Sequence, residues 1–233
     1  MIREELLRRL RSNWQRVVDE VRQAAAAAGR SGDAVRIVGV TKYVDLATTE
    51  ALVAAGCTEL GESRPQVLCE KAAGLAAAAS VRWHLIGPLQ RNKVRRTLQA
   101  AAVIHSIDNL KLLRYLDTLA GELDATPEVL IEVNISGDAS KHGFSPAALL
   151  REAAALGELR SAQPVGLMGM AGLESAPEQA QREFAALREL RDRLAQQTGL
   201  PLPELSMGMS GDFFQAIAEG STMVRIGSRL FAD

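Results

Sequence analysis

A chain of 233 residues with 47% hydrophobic and 24% charged side chains can pack a sizeable core and is too apolar for wholesale disorder. Its 27 basic and 28 acidic groups leave a net charge of −1, without the basic footprint of a nucleic-acid binder, and two cysteines are too few for a disulfide framework. No apolar run is long enough to span a membrane, and arginines interleaved with Glu4, Glu5, Asp19 and Glu20 make neither a signal nor a transit peptide, so a cytoplasmic protein is expected.

The first predicted element is a helix over 3–28. Leu6, Leu7, Leu10, Trp14, Val17, Val18 and Val21 form one stripe, the run Ala24–Ala28 prolongs it, and Gly29 with Ser31-Gly32 ends it. Beyond Gly32, short runs rich in Val, Ile and Leu alternate with helical patterns. The strand candidates are Val35–Val40, Cys57–Leu60, Val81–Ile86, Val103–Ile107, Val129–Val133, Val165–Met170, Leu205–Met207 and Thr222–Ile226. Helical segments lie between them near 46–55, 64–78, 90–101, 109–121, 146–157, 178–197 and 211–218, and Ala180, Phe184, Leu187, Leu190 and Leu194 make the clearest stripe. Strict alternation predicts a parallel sheet with crossover helices. Eight units in this length favour a closed (β/α)8 TIM barrel over a doubly wound open sheet. The organisation expected is a single domain over 1–233, with an N-terminal helical entry over 1–32 and the barrel over 33–233.

In either fold, ligands bind at the carboxyl ends of the strands. The first strand runs into Thr41-Lys42-Tyr43. A lysine there is either an ordinary loop residue turned to water or, with part of its hydration lost, an amine that condenses with a carbonyl compound. The seventh strand runs into Ser206-Met207-Gly208-Met209-Ser210-Gly211 and the eighth into Arg225-Ile226-Gly227-Ser228. Glycines and hydroxyls at these two ends form the usual phosphate site of such barrels, though each alone reads equally as a turn. Arg225 shares a strand face with Met223 and Gly227, so its guanidinium needs a fixed acceptor: a structural ion pair or a ligand.

Other strand ends speak more softly. His84 and His105 fall on neighbouring strands without a carboxylate or cysteine spacing that completes a metal set, and hydrogen-bonded core histidines fit better. Asn134 precedes a polar loop, Ser136 to Phe144, that is either a lid or a turn, and Arg91, Lys93, Arg95 and Arg96 read as a solvated helix face. GxSxG, Walker and HExxH motifs are absent from the sequence.

The strings Val38-Gly39-Val40-Thr41-Lys42, Gly61-Glu62-Ser63, Trp83-His84-Leu85-Ile86-Gly87-Pro88-Leu89-Gln90-Arg91-Asn92-Lys93, Ser140-Lys141-His142-Gly143-Phe144, Gly166-Leu167-Met168, Ser206-Met207-Gly208-Met209-Ser210 and Val224-Arg225-Ile226-Gly227-Ser228 occur in that order. Together they resemble the pyridoxal-phosphate homeostasis proteins, also called proline synthetase co-transcribed or YggS-like proteins. The resemblance implies a barrel like the N-terminal domain of alanine racemase, with pyridoxal 5′-phosphate (PLP) held as a Schiff base on Lys42. It also implies the phosphate near Ser210, Gly227 and Ser228, with Met207 and Gly208 in the same loop, and Arg225 facing the pyridine nitrogen. The implied role is a carrier or buffer in vitamin B6 and amino-acid balance, with PLP-dependent apoenzymes as recipients. Two departures stand out: Tyr43-Val44-Asp45 replaces the family's Thr-Lys-Pro after the lysine, and Ser63 replaces an asparagine.

Two rivals are weighed. A PLP-dependent amino-acid racemase, or another enzyme using the same barrel, needs an acid/base opposite the lysine. In alanine racemase a tyrosine of a second domain supplies it, and a chain ending at Asp233 is expected to lack that domain. A cofactor-free barrel gripping another phosphorylated metabolite would leave Lys42 an ordinary amine. Neither a membrane nor a partner chain is called for, and a monomer is expected.

Overall fold

The alternation is realised in the computed structural model of the chain, which describes residues 2–75, 80–138, 140–173 and 175–232. Helix α1 (Ile2–Ala27) leads through a 3₁₀ turn at Gly32–Ala34 into β1 (Arg36–Val40), α2 (Leu46–Ala54), β2 (Glu59–Glu62), α3 (Pro65–Gly74) and β3 (Arg82–Leu85). Then come α4 (Val94–Leu98), β4 (Val103–Ile107), α5 (Leu110–Glu122), β5 (Glu128–Val133), α6 (Pro146–Arg151), β6 (Gln163–Gly169), α7 (Pro177–Thr198), β7 (Glu204–Met209), α8 (Phe213–Ala218) and β8 (Met223–Ile226). Each strand pairs in parallel with the next, and β8 returns to β1, so the sheet closes in chain order. The closed barrel, not the open sheet, is the architecture.

Local chemistry sets the element ends. Asp45, Asn109 and Ser145 accept hydrogen bonds from the amides of Thr48, Leu112 and Ala148 and so cap α2, α5 and α6. Pro65, Pro146 and Pro177 open their helices, where no amide donor is lost. Gly199, at φ +73°, ends α7 in the left-handed region.

The α7 stripe is buried at Ala180, Phe184, Leu187, Leu190 and Leu194. The fully buried Phe184 and Phe213 each contribute roughly 1.5–3 kcal/mol by leaving water. Helix α1 buries Leu10, Val17, Val21 and Ala25 and lies against α2 and α8. The Asn13 amide clips it to the carbonyls of Leu230 (3.1 Å) and Ala232 (2.8 Å). Among the described residues no helix is long and apolar enough to cross a membrane.

At the amino ends of the strands, the barrel floor, charges pair off. Arg36 meets Glu204 at 2.6 Å, Arg82 meets Glu128 at 2.6 Å, and Thr222 Oγ1 donates to Glu204 at 2.5 Å. Above them Val103, Leu130, Met168 and Met223 form a small apolar cluster separate from the outer shell.

Four predicted segments differ in extent. The second strand starts at Glu59 rather than Cys57 and runs on through Gly61 and Glu62, because a buried partner neutralises Glu62. The segment 90–101 divides into a 3₁₀ turn at Arg91–Lys93 and α4, while 146–157 divides into α6 and a 3₁₀ turn at Ala153–Leu156. Of the segment 64–78, α3 covers Pro65–Gly74, and residues 76–78 lie outside the described residues.

Candidate functional site

Lys42 lies two residues past the end of β1, at the carboxyl-end mouth of the barrel, and is half-buried. Its Nζ lies 4.9 Å from the ring centroid of Tyr43, which is itself 89% exposed. The residue before it is pinned twice. The Thr41 carbonyl accepts from Lys71 Nζ at 2.8 Å, and Thr41 Oγ1 donates to Glu62 Oε1 at 2.8 Å. Lys71 and Glu62 complete the clamp as a buried ion pair at 2.5 Å. The backbone carrying Lys42 is thereby fixed while its amine is left clear of any carboxylate among the described residues. In the sequence, Lys71 looked like an unremarkable helix lysine, and only its burial in the fold reveals the clamp.

The ends of β7 and β8 lie beside β1. Val38 pairs with Arg225 and Gly39 with Ile226, and a Cβ on Gly227 would stand 3.4 Å from that of Val40. The Gly227 amide donates to Ser210 Oγ at 3.2 Å, joining the two loops and leaving the Ser210 hydroxyl proton available. Ser228 is exposed next to them. Gly208, at φ +93°, lets the first turn of α8 pack tightly: a Cβ there would lie 2.6 Å from that of Ala216 and 3.0 Å from Phe213 Cα. The Met207 side chain is fully buried in the outer shell, so only its backbone belongs to the mouth, and its carbonyl accepts from Ser221 Oγ at 2.8 Å. Sequence reasoning missed Arg229, which fastens this loop: Nε donates to the Ser210 carbonyl at 2.8 Å and a terminal nitrogen meets Glu20 of α1 at 2.7 Å.

Arg225 reaches into the barrel and is buried. One terminal nitrogen donates to the Ser206 carbonyl (2.8 Å) and hydroxyl (2.6 Å), and the other to the Gly169 carbonyl (3.1 Å). These bonds use three of its five N–H groups. Burial lowers its pKa to about 10, against the pull of Asp212 and Glu132, so the guanidinium stays charged at neutral pH. Its partners are neutral oxygens, which answers the sequence alternative of a structural ion pair.

Glu132, on β5 across the barrel, is buried too. Burial, then the nearby Asp108, pushes its carboxyl above the ordinary range, against His142 and Arg225.

His84 and His105 are core residues with satisfied hydrogen bonds. His84 Nε2 lies 2.5 Å from Glu59 Oε2, His84 Nδ1 lies 2.8 Å from His105 Nε2, and His105 Nδ1 lies 2.9 Å from Ser206 Oγ. The polar loop after β5 is stitched down: Asn134 Nδ2 donates to the Asp138 carbonyl at 2.7 Å and Lys141 Nζ to that of Ala171 at 2.7 Å. Its described residues make a fastened turn rather than a lid. In the basic cluster, Arg91 lies over Tyr115 and Arg95 pairs with Glu122 on the outer face.

Ser206, Glu59 and Glu132 were also passed over in the sequence. The available signal was strand alternation, which puts Glu204 and Ser206 on one face of β7, with Ser206 toward Arg225.

Residues 7–233 match the family described as alanine racemase, N-terminal domain. A pyridoxal phosphate homeostasis protein of Synechocystis is 40% identical over 199 residues, covering 85% of this chain and 91% of that one. A crystal structure of an unknown protein from Bifidobacterium adolescentis superposes with a TM-score of 0.92 at 35% identity, over 97% of this chain and 96% of that one. PipY of Synechococcus elongatus, solved with PLP bound, superposes with a TM-score of 0.81 at 37% identity, over 85% of this chain and 93% of that one.

Proposed function

Because the chain belongs to the pyridoxal phosphate homeostasis protein family, we propose that it holds pyridoxal 5′-phosphate at the barrel mouth, covalently through the Lys42 amine, as a carrier or buffer in vitamin B6 and amino-acid homeostasis. The observation that carries this reading is a convergence. A clear primary amine, a hydroxyl-and-amide cradle and a buried guanidinium with spare donors stand on the adjacent strands β1, β7 and β8. Each matches one part of the cofactor: the amine its aldehyde, the cradle its phosphate, the guanidinium its ring nitrogen.

When bound, the cofactor supplies an aldehyde carbon that condenses reversibly with primary amines. The chain's own groups do the rest. Ser210 has a hydroxyl proton to give, because its oxygen already accepts from the Gly227 amide. Ser228 adds a second hydroxyl, Gly208 keeps α8 close behind the cradle, and Met207 contributes through its backbone alone. Arg225 stays cationic and donates only, so a ring nitrogen facing it is held unprotonated by the adjacent positive charge. That suppresses the electron withdrawal that carbanion chemistry needs, which favours holding and handing over the cofactor rather than turning over amino acids. We further propose that the protein acts as a cytoplasmic monomer and that amines or PLP-dependent apoenzymes receive the cofactor.

The test is direct. Protein loaded with cofactor, reduced with borohydride and mapped by mass spectrometry should carry one modification, on Lys42. Lys42→Ala protein should lose its visible absorbance on gel filtration. Retention of that band by the variant, or a modification mapped to another lysine, would refute the assignment.

A further inference from the structure

Glu59, His84, His105, Ser206 and Arg225 stand on β2, β3, β4, β7 and β8, yet they form one unbroken line of hydrogen bonds. The successive distances are 2.5, 2.8, 2.9 and 2.6 Å. The line starts at the floor, where Glu59 is 23% exposed, crosses between β4 and β7, and ends on the guanidinium at the mouth. Both imidazoles are fully buried.

The chemistry of the two ends fixes the direction of every bond. Arg225 can only donate, so Ser206 Oγ accepts from it. Burial opposes charge on Glu59, but the hydrogen bond from His84 and the nearby Arg82 and Arg36 favour it, and the carboxyl lies below its ordinary range, ionised and accepting only. Burial keeps both rings neutral, and a neutral ring has one N–H. His84 must therefore carry its proton on Nε2, facing Glu59, and accept on Nδ1. His105 must then carry its proton on Nε2 and accept on Nδ1, from the Ser206 hydroxyl. Every bond points from Arg225 toward Glu59.

We infer that Glu59, His84 and His105 are positioning residues for Arg225: the one-way line turns the Ser206 proton away from the guanidinium, keeps the Ser206 oxygen as its acceptor, and so sets from the floor how Arg225 is presented at the mouth. The consequence for a bound cofactor rests on the proposed PLP reading, while the line itself does not. Glu59→Gln is the discriminating change. An amide of nearly the same shape can donate as well as accept, which releases the constraint on direction without emptying space.

Long-range ¹H–¹⁵N spectra of cofactor-free protein test the line. The chain has three histidines, so His84 and His105 can be assigned by single His→Gln variants. The expected result is an Nε2–H tautomer at both rings in the parent and an Nδ1–H population at His84 in Glu59→Gln. A parent Nδ1–H tautomer or imidazolium at either ring overturns the inference, as does a Glu59→Gln spectrum without any change of tautomer. In loaded protein, Glu59→Gln should shift the visible absorbance and hold the cofactor about tenfold more weakly, the order of one misdirected charge-assisted hydrogen bond. Glu204→Gln, the same change at a floor carboxylate off the line, should leave both unmoved. An absorbance and affinity in Glu59→Gln equal to the parent's, or matched shifts in both variants, overturn the positioning role. Failure of the parent to bind cofactor overturns the PLP reading instead, and the tautomer measurement then decides the line alone.

Discussion

The two ends of the barrel use the same residue types to opposite effect. At the floor, Arg36 pairs with Glu204 and Arg82 with Glu128, each across one intervening strand and all at partly exposed positions. At the mouth, among the described residues, Lys42 has an amine clear of carboxylates, Ser210 a spare proton, and Arg225 two uncommitted N–H groups. The difference teaches where to look for chemistry in a closed barrel. Groups whose hydrogen-bonding capacity is consumed by neighbours hold the fold, and groups left with capacity at the strand ends await a ligand. The Lys71–Glu62 pair complicates the contrast, because it is a fully satisfied structural device placed at the functional end.

That complication gives the largest expected effect. Glu62→Gln strands the Lys71 charge in a buried position and should cost about 3–5 kcal/mol in urea unfolding, with loosening at Thr41 and Lys42. A smaller loss would place the clamp with the weak pairs of the floor. Next, Gly166→Ala tests the tightest backbone approach near the floor, where a Cβ would stand 1.8 Å from the Glu204 carbonyl oxygen. A loss of about 1–3 kcal/mol without change in cofactor binding is expected.

Glu132→Gln follows, and its sign depends on pH. The folded-state pKa of Glu132 is raised above its ordinary 4.5, so the folded chain keeps this proton longer than the unfolded chain does. The stabilising contribution is complete below the unfolded value and is lost as pH rises through the folded one. The variant should therefore have a higher urea midpoint than the parent at pH 7, and the gain should vanish in acid. An unchanged gap across that range contradicts the reading. Smallest is Arg82→Gln: its partly exposed pair with Glu128 is expected to contribute at most about 1 kcal/mol, fading with added salt.

The barrel was legible in the sequence because closure depends on local texture. Each apolar run is short, each helix carries its own stripe, and the count of units does the rest. Lys42, Ser210, Arg225 and Gly227 were legible for a related reason: they sit where strands end, and alternation assigns them a face. What could not be read depends on pairs far apart in the chain. Nothing near His105 announces Ser206, 101 residues later, and nothing near Thr41 announces Lys71. Glu62 misled the strand boundary for the same reason, since a carboxylate reads as exposed until its ammonium partner is known. The Met207 side chain lies buried in the outer shell, which its place inside a telling string does not announce.

The seam between β8 and β1 also sets an order in time. Lys42 emerges from synthesis about 180 residues before Arg225, Gly227 and Ser228, which reach it only when β8 docks on β1. Contacts between residues far apart in the chain are slow to form in folding, and the Asn13 clip to Leu230 and Ala232 locks this one from outside. Until β8 is made, a nascent chain thus carries its amine without the β8 loop beside it. On the proposed reading, competence to hold an anion beside that amine arrives in one step, with closure, and a chain that fails to close has no half-made site.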